Sequence, residues 1–548
     1  MIKRVFLAAA VFFAVVSLWA GNDLESPLYT LLSRWEDRGL IEPLPLVRPY
    51  PPQLIRSCLL KVAAAGGRED REQAGSLLNE LNGEGALLAL GEAAAADLTT
   101  YGELLAKPDA AESFVRPAAE MSLAGSFSDR FAYEGSLGLF FNKERDEDYA
   151  PYLQEPDNFY HSGGGAGEEV TFEHLWLGGI FWGKESFYFQ AGLLRTSVGP
   201  FFDNGAVVGP QAPEAGHFSF TYRGKRLTFS SLMLQLIARY FVQLGDDAPY
   251  SDGERYSLKG YLDPGVYPSK YLVTHSVDVR AADWLTVGFV QTVVYGGRFD
   301  PLYLIPFQDL AGTQTYTGDY DNNLLGLYAR FFPLTGLTAA LFLYIDDLNM
   351  NEIMKLNFSS NQNKLAFQAG LAWSPEHPLT PRISLDYQLL TPFMYSHLTR
   401  EPITYLTYTH DGHHLGSTLE PNSDRISLTV ALFLHRLLAA ELEARYIRHG
   451  NHSESYVPPE LQGTLWDDGL DPSGIVTFYG PSTFLDQDVL ERTLQLSCSL
   501  ENRLPLGRLA ADLRAEANYT FELIKNRGFV DGASETNHYL KLLLGFDW

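Results

Sequence analysis

The sequence predicts a mainly β fold, a transmembrane antiparallel β-barrel of about 18 strands that follows a small N-terminal α-helical bundle. Three observations lead to this prediction. Apolar and polar side chains alternate over most of the chain, the alternating stretches are long, and short connections alternate with long ones. After Pro108 the period of the apolar pattern changes from about 3.6 residues to about 2, which places the boundary between bundle and barrel near residue 110.

Residues 1–20 have the layout of a secretory signal peptide. Lys3 and Arg4 precede an apolar run over residues 5–16, and a short segment then leads to Ala20, after which cleavage is expected. A membrane-anchoring helix is the alternative, but the run is short and polar residues follow it at once. The chain is therefore expected to be exported.

The composition excludes several classes of protein. After the signal segment, no run of about 18 apolar residues remains that is long enough to cross a membrane as a helix. Cys58 and Cys498 are too few for a disulfide framework, and neither lies beside the cleavage site to accept a lipid. The formal net charge of -26 argues against nucleic acid as a partner, because two polyanions repel each other.

Residues 21–110 are predicted to form a helical domain on the periplasmic side of the membrane. Ser26 is a suitable N-cap, and Pro27 suits the first helical position. The first helix then places Leu28, Leu31, Leu32 and Trp35 on one face before Gly39. Further helices are predicted for residues 52–64, 71–81 and 86–106.

Residues 111–548 are predicted to form the barrel in the outer membrane. Residues 508–523 alternate throughout, with apolar side chains at the odd positions. A soluble β-sandwich alternates too, but its strands have about 5 or 6 residues, whereas tilted membrane strands need about 9 to 11, as many stretches here have. The last strand ends on Trp548 and resembles the signal read by the outer-membrane assembly machinery. That machinery and outer-membrane lipid are therefore expected partners.

The connections give the barrel a predicted direction. In bacterial barrels the short turns are periplasmic and the long loops extracellular. Short turns are predicted near residues 183–185, 224–225, 282–283, 334–335, 375–380, 436 and 502–507. An odd number of strands can be assigned from residue 113 onward, while single-chain barrels normally have an even number. One further strand is therefore expected within residues 96–112, which makes eighteen.

Short motifs along the chain resemble the capsule-assembly protein Wzi family. The helical start contributes SPLY at 26–29, DRGLI at 37–41 and RPY at 48–50. The barrel continues in the same order as that family with DWL at 283–285, YGGR at 295–298, LYLIPF at 302–307, DNNLLG at 321–326, DD at 346–347, YSH at 395–397 and LGSTLEPNSD at 415–424. The resemblance covers nearly the whole mature chain.

This resemblance implies an eighteen-stranded barrel with a periplasmic helical bundle that retains capsular polysaccharide at the cell surface in a lectin-like way. Surface polysaccharide is accordingly the implied partner. Glu420 stands where the family pattern has glycine, and residues 449–487 diverge strongly. The resemblance therefore does not extend to the identity of the polysaccharide.

Polar residues from separate segments are expected to meet at the outer rim. Carboxylate and amide groups bind sugar hydroxyls, aromatic faces pack on the sugar ring, and Arg298 is suited to pair with an acidic polysaccharide. Tyr316 and Tyr320 are near enough in sequence to help. The candidate polysaccharide-binding residues are Arg298, Tyr303, Asp319, Asp321, Asn322, Asn323, Asp346, Asp347, Asn422 and Asp424. Each also has a purely structural interpretation, in which Arg298 faces the lumen and pairs with neighbouring carboxylates.

Neither an enzyme nor a bound cofactor or metal is expected. The sequence has no G-x-S-x-G, H-E-x-x-H or P-loop motif. The stretch from Asp319 to Asn323 offers oxygen ligands for calcium but lacks the spacing of an EF-hand. Two functions remain: a barrel with an occluded lumen that binds capsular or exopolysaccharide, and a porin or substrate-specific channel, because eighteen strands can enclose a water-filled lumen.

Overall fold

In a computed structural model, three N-terminal helices are followed along the chain by eighteen antiparallel strands, which form a closed barrel. The structure describes residues 24–548 except 25, 83–86, 91–92, 110–111, 143–150, 152–159, 166–170, 202–204, 239–268, 319–320, 348–353, 356–362, 393, 396–404, 412, 436–437, 451–483 and 507–510. The predicted signal peptide lies outside the described residues. The three helices are α1 (Pro27–Asp37), α2 (Pro52–Ala65) and α3 (Arg68–Leu81). No helix in the described part of the chain is long and apolar enough to cross a membrane.

The barrel strands follow one another around the cylinder in chain order. Every strand pairs with its sequence neighbours, and β18 pairs with β1 to close the sheet. The predicted eighteen-stranded antiparallel barrel is thereby confirmed. The strands β1 to β18 are Ala95–Lys107, Glu112–Ser128, Phe131–Asn142, Thr171–Lys184, Phe187–Leu194, Ala215–Arg223, Leu227–Ile237, Ser269–Ala282, Leu285–Gly296, Asn322–Leu334, Leu337–Asp347, Lys364–Trp373, Arg382–Leu390, Ser423–His435, Leu438–Gly450, Leu490–Pro505, Asp512–Lys525 and Ser534–Asp547.

The strand that was expected within residues 96–112 is β1, so the prediction of a helix over residues 86–106 is wrong. This segment is rich in Ala and Leu, which favour helices in isolation. Here it pairs with β2 along its whole length and with β18 over residues 99–106, and this pairing outweighs the local preference. The barrel thus begins at Ala95, before the boundary predicted near residue 110.

The outward face of the barrel is apolar. Leu442, Leu496 and Leu544 lie on it and are 44–60 % exposed. Large exposed aromatic side chains accompany the short turns at Phe127, Trp182, Tyr222, Trp284 and Trp373. An apolar band with aromatic residues at its border is the surface that a transmembrane barrel presents to lipid. Exposing so large an apolar surface to water would be energetically unfavourable.

The helices dock into the mouth of the barrel at the short-turn end. Ser26 begins α1 by accepting a hydrogen bond from Leu28 N at 3.4 Å, as predicted. Arg330 of β10 pairs with Glu36 at 2.7 Å, and Arg382 of β13 pairs with Asp37 at 3.1 Å. The apolar residues of the three helices share one core with two inward-facing barrel residues, Tyr188 and Phe433.

Three inserted segments fill the lumen on the side of β6–β15. They are residues 44–50, 196–214 and 394–419, as far as these are described. Val47 pairs with Val198, Val198 bridges to Val208, and Gly209 N donates to Leu415 O at 2.8 Å. One apolar cluster joins all three segments to the wall, with Leu46, Val207 and Leu415 from the segments and Leu272, Val290 and Leu324 from the strands.

Asp70 of α3 links the helices through its carboxylate. Trp35 Nε1 donates to Asp70 at 3.1 Å, and the buried Arg34 and the nearby Arg38 also donate to it. Burial alone raises the pKa of Asp70. The hydrogen bonds and positive charges of Arg34 and Arg38 outweigh this effect and hold the pKa below its usual value.

Replacing Asp70 by Asn is expected to destabilise the helical domain by about 3–5 kcal/mol, because the buried guanidinium group of Arg34 loses its counter-ion and Arg38 keeps only its longer contact with Glu376 at 3.6 Å. Hydrogen exchange of α1–α3 in the detergent-solubilised protein measures this loss. Because the folded-state pKa is depressed, the stability that Asp70 contributes is present above a pH of about 4 and is lost as the pH falls further. Asp70→Asn is expected to remove that pH dependence.

Glu72→Gln on the same helix is the matched control. Glu72 pairs with Arg68 at 3.0 Å, and both side chains are exposed. Its replacement is expected to change the stability by less than about 0.5 kcal/mol. Equal effects of Asp70→Asn and Glu72→Gln would contradict a central role for the buried carboxylate.

Candidate functional site

The described candidate residues lie along one rim of the barrel, at the end with the long connections. Arg298 follows β9, Asp321 precedes β10, Asp346 lies near the end of β11, and Asn422 and Asp424 lie at the start of β14. Because neighbouring strands are antiparallel, these strand ends share one rim. Asp319 and Tyr320 lie outside the described residues, and only the backbone of Asp347 is described.

The first group at the rim is built around the carboxylate of Asp321, which is 1 % exposed. Tyr303 Oη donates to Asp321 Oδ2 at 2.6 Å, and Arg298 Nη2 donates to the same oxygen at 2.5 Å. The Arg298 side chain is 38 % exposed and lies over the ring of Tyr295. Partial burial lowers the pKa of Arg298, but Asp321 outweighs this and raises the pKa. Arg298 is therefore a fixed positive charge at the rim.

This first group lies on the outer wall of the barrel and not in the lumen. Leu272, Val290 and Val294 face inward, so the alternate residues Val293 and Tyr295 face outward. Residues 297–318, which we call the outer-wall segment, pack on this outward face and include the short helix α4 (Leu310–Thr317). Arg298 does pair with a neighbouring carboxylate, as the structural interpretation expected, but it does so outside the lumen.

Three contacts hold the outer-wall segment against β7–β9. The ring of Phe307 lies 4.0 Å from that of Phe229 between centroids, and the ring of Tyr303 lies 4.9 Å from that of Tyr295. Leu310 N donates to Gln291 Oε1 at 2.8 Å. The Tyr303 ring is completely buried in this contact, so it offers no face to a sugar. Tyr316 of α4 is 83 % exposed and does offer one.

A second group of the same composition surrounds Asp424. Tyr387 Oη donates to the buried Asp424 carboxylate at 2.9 Å, and Arg448 donates to both of its oxygens at 2.9 and 2.5 Å. The Arg448 side chain is 42 % exposed. The neighbouring Ile426 and Tyr446 are exposed on the same face, so this group also points outward. Each group thus contains a buried aspartate, a tyrosine hydroxyl and a partly exposed arginine.

Arg448 and Tyr387 were not predicted from the sequence. Arg448 occupies an outward position of β15, where the apolar pattern calls for a hydrophobic residue. A charged residue at such a position indicates that the position lies at the rim, beyond the lipid band. Its pairing with Asp424 follows from the register of β14 and β15, which the sequence alone does not fix.

Asn322, Asp346 and Asn422 hold the backbone of long connections. Asn322 Nδ2 donates to Leu406 O at 3.0 Å, and Asp346 Oδ2 accepts from Tyr395 N at 2.9 Å. Asn422 Nδ2 donates to Gly450 O at 2.6 Å, and its Oδ1 accepts from Leu485 N. All three side chains are buried, and their hydrogen bonds fix the backbone of the long connections at the rim.

Asn323 belongs to neither arginine group. It is half-buried at the start of β10, and its Nδ2 has no hydrogen-bond partner among the described residues.

The described residues contain no group of three or more His, Cys, Asp or Glu that is arranged to hold a metal ion. The carboxylate of Asp321, one of the possible calcium ligands, accepts hydrogen bonds from Arg298 and Tyr303. Cys58 and Cys498 are both free.

Comparison with solved structures supports the fold. The outer-membrane protein Wzi of Escherichia coli, described as a carbohydrate-binding β-barrel involved in group 1 capsule assembly, aligns with 98 % of this chain and 99 % of its own at a TM-score of 0.56 and 12 % identity. OprD of Pseudomonas aeruginosa aligns with 83 % of this chain and 95 % of its own at a TM-score of 0.41 and 9 % identity. No family model and no curated protein matches the sequence. The predicted likeness to Wzi is confirmed in the fold, which is that of an outer-membrane β-barrel.

Tyr303→Phe is expected to loosen the outer-wall segment. The substitution removes one of the two side-chain donors to the buried Asp321 carboxylate, which should cost about 1–3 kcal/mol locally. Limited proteolysis and hydrogen exchange of residues 299–317 measure the effect, and the barrel strands should remain protected.

Tyr316→Phe is the control on the same segment. Because Tyr316 is exposed, removing its hydroxyl is expected to leave proteolysis and hydrogen exchange of the segment unchanged. If both variants exchange at the rate of the unchanged protein, Tyr303 does not anchor the segment.

Proposed function

We propose that this chain is an outer-membrane, lectin-like barrel that binds or anchors capsular or exopolysaccharide at the cell surface. The observation that carries this proposal is the packing of inserted segments into the lumen on the side of β6–β15. One apolar cluster joins the three inserted segments to β7–β15, and the helical domain occupies the short-turn mouth. A barrel that is filled in this way favours binding at its rim over passage through its interior.

The rim groups supply suitable chemistry for an acidic polysaccharide. Arg298 and Arg448 are both partly exposed, and each is held in place by a buried aspartate. Guanidinium groups bind carboxylates through paired, charge-assisted hydrogen bonds. The exposed Tyr316 lies on the segment that Arg298 begins and offers a face for a sugar ring. In this proposal Tyr303, Asp321 and Asp424 position the contacting groups, and Asn322, Asp346 and Asn422 shape the rim. Wzi, which has the same fold, is described as carbohydrate-binding.

The proposal includes an orientation. Residues 1–20 direct export, the helical domain and short turns face the periplasm, and the long connections face the cell exterior. This is the usual asymmetry of bacterial barrels. It places Arg298 and Arg448 at the surface where a capsule is retained.

A substrate-specific channel is the second candidate, because one part of the lumen is polar. Arg116 of β2 and Lys541 of β18 both pair with Glu103 of β1, the latter at 2.8 Å. Further along the same wall Arg445 pairs with Glu443 at 2.6 Å. In this second proposal an aqueous path runs along the polar wall of β15–β18 and β1–β3, beside the packed half of the lumen.

Replacing Arg298 and Arg448 together by Gln is expected to reduce the polysaccharide retained by cells severalfold, because two charge-assisted contacts are lost. The measurement is cell-bound against released polysaccharide in a deletion strain that carries each variant. Arg130→Gln with Arg503→Gln is the matched control, since both residues lie at the short-turn end. Unchanged retention by the rim variant, at equal barrel abundance, would exclude these arginines as binding groups.

Planar-bilayer recordings separate the two candidate functions. The unaltered protein is expected to be nearly silent, whereas a large stable conductance would favour the channel. Lys270→Met should increase the conductance, because the buried Lys270 Nζ donates to Thr407 O at 2.5 Å and to Thr409 O at 2.7 Å and thereby holds an inserted segment. The exposed Lys525→Met is the control. If Lys270→Met is as silent as the unaltered protein, this contact does not keep the lumen closed.

A further inference from the structure

We propose that a pocket at the short-turn end of the barrel binds an oxyanion, either a carboxylate or a phosphate group. The pocket has a volume of about 400 Å³ and lies between residues 42–44 and the inward faces of β6–β10. It is at the opposite end from the arginine groups of the rim and is independent of the proposed function.

The charge of the pocket contrasts with that of the whole chain. Its cationic lining residues are Lys184, Arg223, Lys225, Arg226, Arg280 and Arg330, and its acidic ones are Glu42, Glu185 and Asp278. Six positive groups against three negative ones give a formal excess of three positive charges, within a chain of net charge -26. A cleft that concentrates one sign of charge raises the local concentration of the opposite ion.

Two of the three acidic residues are engaged by groups from outside the pocket. Glu185 accepts from Lys61 Nζ and from Ser57 Oγ, each at 2.5 Å. Asp278 accepts from the hydroxyl of Tyr328. The exposed Lys225 and Arg226 form no ion pair with any described residue. Of the other cations, Arg330 pairs with Glu36 at 2.7 Å, Lys184 with Asp129 at 2.8 Å and Arg280 with Asp283 at 3.4 Å, so Lys225 and Arg226 carry the charge that has no acidic partner among the described residues.

Three hydrogen-bond donors in this lining lack partners in the structure. They are Arg330 Nε, Arg280 Nε and Thr286 Oγ1, and each of these atoms is buried. Arg330 is 5 % exposed and Thr286 is 3 % exposed. A buried donor without an acceptor costs about 1–3 kcal/mol, so three in one pocket need a common explanation.

An oxyanion supplies the acceptors that these donors require. Arg330 is already fixed through its other two nitrogens, which donate to Glu36 at 2.7 Å and to Leu44 O at 3.1 Å. Its Nε is thus held in place without a partner. Guanidinium groups only donate, so the unpartnered nitrogens require acceptor atoms, which carboxylates and phosphates supply. An acidic sugar and a phosphate group both carry this chemistry.

Calorimetric titration of the full-length protein in detergent, at constant ionic strength, tests the pocket with two probes. Glucuronate represents an acidic sugar, and inorganic phosphate represents a phosphate group. At least one probe is expected to bind saturably, and the tighter one identifies the source of the oxyanion. Arg280→Gln combined with Thr286→Val should weaken that binding about tenfold, because two donors are removed.

Arg503→Gln is the control, because this half-exposed arginine lies at the same end of the barrel but does not line the pocket. Arg330 is left unchanged because it also docks the helical domain. Thermal unfolding of each variant verifies that the barrel is intact. The proposal is overturned if neither probe binds saturably, if the double variant binds as the unaltered protein does, or if Arg503→Gln weakens binding equally.

Discussion

The closing ladder between the last strand and the first is the interaction on which the rest of the structure depends. In lipid, every backbone N–H and C=O must find a partner within the protein, and an open sheet leaves two unpaired edges. Residues 99–106 of β1 and 540–547 of β18 remove both edges by pairing with each other. This requirement makes residues 95–107 a strand although Ala and Leu favour a helix there. It also makes the strand number even.

Closure creates a second constraint, since eighteen strands enclose more space than wall side chains can fill. The chain fills part of that space with its own segments. The pattern of apolar and polar residues along each strand indicates which part is filled. Over β15–β18 apolar and polar residues alternate regularly, and the wall there is polar inside. In β7 and β9 apolar residues occur on both faces: Leu232 and Leu234 pack against the inserted segments, whereas Met233 packs against the outer-wall segment. Loss of alternation therefore marks the packed half of the lumen.

Most of the fold, but only part of the candidate site, could be predicted from the sequence. Alternation, turn lengths and the even-number rule were enough for the barrel and its strand count, because each reflects a local period or a general constraint. They also predicted that the described candidate residues lie at the end of the barrel with the long connections, where the structure places them. They did not predict on which side of the wall each side chain lies, since Arg298, Tyr303 and Asp321 are in or beside a long connection without a period. The burial of Tyr303 depends on contacts with β7–β9 that no local pattern encodes.

The two arginine groups at the rim have a structural role that is separable from binding. Outward polar groups beside a lipid band need internal partners, and a buried aspartate with a tyrosine hydroxyl and a guanidinium provides them. That need accounts for the tyrosine hydroxyls of Tyr303 and Tyr387, which donate to the buried carboxylates of Asp321 and Asp424. It does not account for the exposed parts of Arg298 and Arg448, which retain donors that their aspartates do not use. In the proposed function, those free donors, and not the buried carboxylates, are the groups that contact an acidic polysaccharide.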